Sequence, residues 1–138
     1  KVWKWLNQQE AIIRQTGEQT TFFGRTRRYQ DIDNHAIRQA YNFPIQSLAS
    51  DLTLLSLVRC AKALRARKLP ARVCLTVHDS VIFEIKMEAF WEVARLVHDI
   101  MSGIHFDWMR VPMTVDMEVG LNWGQLKAVD MNTLTIAS

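Results

Sequence analysis

Cysteine is scarce in this chain of 138 residues. Cys60 and Cys74 sit in no CxxC or His/Cys spacing, which argues against a zinc site. Each lies among apolar neighbours, so both are expected to be buried free thiols in a reducing compartment. No apolar run approaches the roughly 20 residues a membrane-crossing helix needs. No signal-peptide pattern, internal repeat or low-complexity stretch appears either. Charge of one sign is also slight: the net charge is +3 and the pI near 9.1, a weak signal for nucleic acid by itself.

What is present is globular. The hydrophobic fraction is 49% and the charged fraction 22%, which excludes a disordered chain. The length fits one compact unit but is small for an enzyme acting on a large substrate. The first residue, Lys1, falls inside a helical pattern, as expected of a piece of a longer polypeptide. Charge distribution says more than the total. Arg25, Arg27 and Arg28 cluster, and so do Arg59, Lys62, Arg65, Arg67 and Lys68. The second run reads as a solvated helix face.

Residues 2–16 read as a helix stopped by Gly17. Residues 19–29 read as a strand, a bend at Gly24 and a basic stretch. Residues 35–67 hold a helical pattern that Pro44 should break or kink, with Asn42 capping the restarted helix. Beyond it Ile45, Leu48, Leu52 and Leu55 should face a core, and Pro70 closes the element. Residues 72–77 and 81–85 are β-like, joined by His78, Asp79 and Ser80 in a tight hairpin. Residues 88–104 are helical, with Phe90, Val93, Val97, Met101 and Ile104 on one face. Residues 113–119 alternate as a strand, and the tail from Lys127 has no strong pattern. The sum is α+β: antiparallel strands, with a central His-Asp hairpin, packed against helices.

The hairpin carries the chemistry. Two apolar strands hold a carboxylate rigidly and project it into solvent, which suits a hard divalent cation. Phosphoryl transfer needs such a cation to neutralise charge on attacking and leaving oxygens. An aspartate in a hairpin is also an ordinary turn former. The strand-turn-strand setting argues against an HD-type phosphohydrolase, which places its His-Asp on helices. A second feature lies at Arg38, Asn42, Gln46 and Ser50, four residues apart. These side chains suit hydrogen bonding to base edges and sugars. An ordinary polar helix face fits the same spacing, and a kink at Pro44 would blur it.

Three segments in this order, TTFFGRTRRYQDI (20–32), RQAYNFPIQSLASDL (38–52) and ARVCLTVHDSVIFEI (71–85), resemble the C-terminal third of family A DNA polymerases, of the bacterial polymerase I and phage replicase type. VPMTVDMEVGLNW (111–123) is similar to the closing palm strand, and the VWKWL helix fits the segment before them. The resemblance implies a C-terminal palm segment: helix and basic hairpin-like segment (1–34), kinked helix (35–70), catalytic hairpin, helix and closing strand (71–125) and tail (126–138). It implies that Asp79 coordinates catalytic Mg2+, two ions shared with a carboxylate outside this chain, and that His78 lies near the primer terminus. It places Asn42 and Gln46 on the minor-groove side of the primer-template, Arg38 close to the duplex, and Arg25, Arg27 and Arg28 along its phosphates. Many relatives carry Glu where this chain has Ser80, so a metal role for Ser80 is in doubt; support through water is the expectation.

The family's other metal aspartate, and the helix whose lysine and tyrosine grip the incoming nucleotide, match nothing here. Asp51, in a helix among aliphatic residues, and Asp31 and Asp33, in a loop, are poor substitutes for that aspartate. The resemblance therefore implies a chain inactive alone, whose partners are primer-template DNA, deoxynucleoside triphosphates and the remainder of the polymerase, as an N-terminal region or a separate chain. It implies a cytoplasmic setting in a bacterial or phage-infected cell and no membrane. Two further readings stay open. One is a non-catalytic duplex-binding module with palm architecture. The other is a small protein-binding domain that exposes some of Trp3, Trp5, Trp91, Trp108 and Trp123.

Overall fold

The computed structural model describes residues 1–137, which fall into two compact units, Lys1–Leu52 and Thr53 onward. In the first, α1 (Val2–Thr16) ends where Gly17 turns left-handed at φ 69 and its N–H reaches the Ile13 carbonyl at 2.9 Å. A side chain is costly in that conformation, so glycine at this point stops the helix. The short strands β1 (Glu18–Thr20) and β2 (Thr26–Arg28) pair antiparallel, with Gly24 at φ 82 in the connection. Asp33 then caps α2 (Asn34–Ala66), its carboxylate accepting the Ala36 N–H at 2.8 Å. That hydrogen bond holds the Asp33 carboxyl below its ordinary pKa.

Pro44 does not break α2. The helix is continuous through it, and Asn42 lies inside the helix instead of capping a restart. A tertiary hydrogen bond meets part of the cost of the proline. Proline has no N–H for the carbonyl four residues back. That carbonyl, Ala40 O, accepts from the buried Gln19 side chain at 3.1 Å. The inward positions of this stretch are Ala36, Ile37, Ala40 and Ser47, mostly small residues that let the helix approach Ile13 and Tyr29. Ile45 lies about 140° around the helix from Ala40. It is exposed, against expectation, while Leu52 is buried as expected.

In the second unit, Cys60 and Leu64 of α2 pack with Val93, Leu96 and Val97 of α3 (Phe90–Ser102). A 3-10 turn, Met87–Ala89, leads into α3. Residues Arg59, Lys62, Arg65, Arg67 and Lys68 are all exposed, as a solvated face requires. The helix stops before Pro70, and Lys68 takes a positive φ of 52 just after it. Strands β3 (Ala71–Val77) and β4 (Ser80–Ile85) form an antiparallel hairpin whose Ala71, Phe83 and Ile85 lean on that core. Among the described residues this hairpin is a two-stranded sheet of its own.

A second ladder joins β5 (Met117–Val119), β6 (Lys127–Asp130) and β7 (Thr135–Ile136). The alternation over 113–119 holds in burial, but only its end is paired as strand. The tail, patternless in sequence, supplies two strands of this sheet. Antiparallel ladders with helices make the chain α+β. Cys60 is a buried free thiol, but Cys74 is exposed. By strand alternation Cys74 shares the exposed face of β3 with Arg72 and Thr76, opposite the half-buried Ala71 and Val73; the register shifts between Val73 and Leu75. Among the described residues, no helix is long and apolar enough to cross a membrane.

Candidate functional site

The strands β3 and β4 pair up to Val77 and Ser80, which leaves His78 and Asp79 as a two-residue loop. His78 has φ 56, and Asp79 is not in the positive region. A histidine at positive φ is uncommon and mildly strained, since glycine is the residue suited to it. The loop holds this shape because the strands below it are anchored. Arg72 and Glu84 pair across the exposed face at 2.6 Å, and Phe83 and Ile85 pack on the core. Thr53 Oγ1 donates to the Asp79 carbonyl at 3.5 Å, which ties the loop's main chain to α2. His78, Asp79 and Ser80 are all exposed.

The Asp79 carboxylate makes no hydrogen bond or ion pair among the described residues, so its oxygens face outward, available to a ligand. An oxygen-donor cation suits it. No group of three or more His, Cys, Asp or Glu among the described residues could hold a metal ion. Mg2+ keeps several waters and takes one or two carboxylates together with substrate phosphates, so the chemistry of one exposed carboxylate fits a part of such a site.

In the first unit, Arg38, Asn42 and Gln46 are exposed along α2, with Ser50 half-buried. Steps of four drift by about 40° each around a helix, so Arg38, Asn42 and Gln46 share one side while Ser50 lies further around. Arg38, Asn42 and Gln46 line a groove of 450 Å³ together with Arg27, His35, Gln39, Phe43 and Ser47. Arg27 donates to Gln39 Oε1 at 2.7 Å, and its guanidinium lies 5.4 Å from the centre of the Tyr29 ring. Gln39 Nε2 is 2.8 Å from His35 Nε2, so the wall of the groove is a chain of side chains.

The three clustered arginines differ. Arg25 pairs with Asp51 at 2.5 Å, and Arg28 with Glu18 at 3.4 Å. Each of those charges faces a carboxylate. Arg27 is held by a neutral amide, so its charge is left for the groove. The Asp51 side chain is only 12% exposed, and its Oδ2 has no partner among the described residues. Its Oδ1 is the oxygen paired with Arg25. Sequence patterning does not single out His35 and Gln39. Their one local signal is their spacing of four on a helix; the partner that matters, Arg27, is twelve residues from Gln39.

Comparison with known proteins gives the family. The model for DNA polymerase family A matches residues 1–125. The DNA polymerase of Bacillus phage SP01 is 36% identical over 137 residues, which covers 90% of this chain and 15% of that protein. The DNA polymerase I of Chloroflexus aurantiacus is 36% identical over 134 residues, covering 93% of this chain and 14% of that protein. The chain thus spans about a seventh of the length of these relatives. Among solved structures, the POL domain of Pol1 from M. smegmatis, in complex with DNA primer-template and dNTP, superposes with a TM-score of 0.70 and 27% identity. That match covers 79% of this chain and 20% of the other. An exposed His-Asp loop on an anchored hairpin, carried by a chain matched along almost its whole length, is part of a polymerase domain, and the chain belongs to DNA polymerase family A.

Proposed function

We propose that this chain is the C-terminal part of the palm of a DNA-directed DNA polymerase. The reaction is attack of a primer 3′-hydroxyl on the α-phosphate of a deoxynucleoside triphosphate, directed by a template strand. The exposed, uncommitted carboxylate of Asp79 at the tip of the β3–β4 hairpin carries this reading. Asp79 would bind a divalent cation, Mg2+ by its oxygen chemistry, together with a carboxylate from the rest of the polymerase. Bound there, the ions supply charge neutralisation on the attacking and leaving oxygens. His78, held in its positive-φ turn, lies beside Asp79 and faces the primer terminus. Ser80 acts through water, since a hydroxyl is a weaker metal ligand than a carboxylate.

Arg38, Asn42 and Gln46 contact the minor groove of the primer-template, where acceptors fall in nearly the same place for every base pair. Contacts there test the shape of a pair without reading sequence. Arg27 lines the same groove and meets phosphate. Arg25 and Arg28 reach phosphate only by sharing their charge with Asp51 and Glu18. By itself the chain does not extend a primer, because its described residues carry one such carboxylate and no nucleotide-gripping helix.

The test is Asp79→Asn in the complete polymerase. Primer extension should fall about a thousandfold or more, with primer-template affinity within about twofold of the parent. Extension close to that of the parent would overturn the assignment. A second reading, duplex binding without chemistry, is favoured by one observation: the α2 groove is built entirely from the first unit and needs nothing of Asp79. A primer-extension assay with this chain and the upstream polymerase region supplied separately distinguishes the two. Extension that appears only in the mixture, and is lost in Asp79→Asn, supports the polymerase. No extension from two folded, associated parts supports the binding module.

A further inference from the structure

We infer that Gln19 is a positioning residue that stands in for the backbone N–H missing at Pro44 and so keeps the duplex-facing side of α2 in register. Its consequence for DNA rests on the role proposed above for Arg38, Asn42 and Gln46. In a regular helix the N–H of residue 44 would donate to the carbonyl of Ala40. Pro44 has none, and a buried carbonyl left unsatisfied is costly. The Gln19 amide donates to that same carbonyl at 3.1 Å and to Gln9 Oε1 at 2.7 Å. Tyr29 OH donates to Gln19 Oε1 at 3.1 Å.

This orientation is dictated by the partners. A carbonyl only accepts, so the NH2 of Gln19 must face Ala40, and the Gln19 oxygen is then turned to the Tyr29 hydroxyl. Gln19 is 3% exposed, Gln9 and Tyr29 each 9% and Ala40 fully buried, so water is not available to replace any of these bonds. Pro44 lies between Asn42 and Gln46. An opened turn at Ala40 would rotate the side chains after it relative to Arg38. The groove side chains would then no longer fall on one line.

The decisive feature is that the need for Gln19 is created by Pro44. In the complete polymerase we would compare the parent, Gln19→Leu, Pro44→Ala and the double variant. Two quantities would be read: amide hydrogen exchange over residues 41–50 and the dissociation constant for primer-template DNA. Gln19→Leu should speed exchange in that segment about tenfold or more. It should weaken duplex binding about fivefold or more, while the same change on the Pro44→Ala background moves both by less than about twofold. If Gln19→Leu alone fails to fold and the double variant folds, the inference is supported. Equal losses on both backgrounds, failure of both to fold, or unchanged exchange in Gln19→Leu would overturn it and leave Gln19 as ordinary packing. Exchange that changes as expected with unaltered duplex affinity supports the helix clamp and sinks the duplex role of the groove.

Discussion

The two units solve the same burial problem with different chemistry. The first, Lys1–Leu52, is centred on Ile13, Tyr29, Ala36, Ile37 and Ala40, and threads polar groups through that core: Gln9, Gln19 and the Tyr29 hydroxyl. The second is centred on an apolar cluster with one thiol, Cys60, Leu64, Val93, Leu96 and Val97, and also buries the hydroxyl of Ser56. Directional hydrogen bonds specify one geometry and penalise any other. Apolar contacts tolerate small shifts but hold strands firmly against a helix. On the function proposed above, the first unit carries the row of Arg38, Asn42 and Gln46, whose relative positions matter, and the second holds out the Asp79 carboxylate on an anchored loop.

The sharpest way to break this contrast is Leu64→Ala, at a residue 3% exposed. Loss of its contacts should cost about 2–4 kcal/mol. In the complete polymerase, amides of β3, β4 and α3 should lose exchange protection, and those of β1 and β2 should keep theirs. Equal loss in both regions would show that the two units unfold as one.

Alkaline pH should separate them next. Burial pushes the Cys60 thiol up to about 11 from an ordinary 9.0. The unfolded thiol ionises first, so the contribution of Cys60 is complete below pH 9 and declines as pH rises toward 11. At most about 3 kcal/mol is involved. Burial also raises the Tyr29 phenol above its usual 10.0, so the first unit meets its own loss at higher pH. The stability gap between the parent and Cys60→Ala, from denaturant midpoints, should therefore narrow between pH 9 and 11. A gap that stays constant would contradict the assignment of that loss to Cys60.

The smallest effect concerns the loop. His78→Gly removes a side chain from a backbone at φ 56 and should stabilise the hairpin by up to about 1 kcal/mol. Primer extension should fall in the same variant if the imidazole serves the primer terminus. Slower exchange in β3 and β4 with unaltered extension would leave His78 as a turn residue only.

Much of this molecule is legible in its sequence. The end of α1 at Gly17, the two strands around His78-Asp79 and the apolar face of α3 all follow from residues within a few positions of one another. The polymerase likeness is legible too, because the segments that carry it are short and contiguous. The exposed face of Arg59 to Lys68 follows from charge alone.

What tertiary structure decides depends on partners far along the chain. Pro44 reads locally as a break or kink; α2 runs on through it, and the Ala40 carbonyl it leaves without a helical donor is met by Gln19, twenty-one residues before Ala40. Cys74 reads locally as buried, yet the hairpin packs on its core through Ala71, Phe83 and Ile85 and leaves Cys74 on the exposed face with Arg72. The strands β6 and β7 have no pattern of their own; β6 pairs with the edge of β5, and β7 with β6. Arg25, Arg27 and Arg28 look alike in sequence. Asp51, Gln39 and Glu18 make them different, and of the three Arg27 alone has no carboxylate to share its charge in the α2 groove. Local periodicity is written in neighbouring residues, whereas hydrogen-bond and charge partners are chosen only once the chain has folded back on itself.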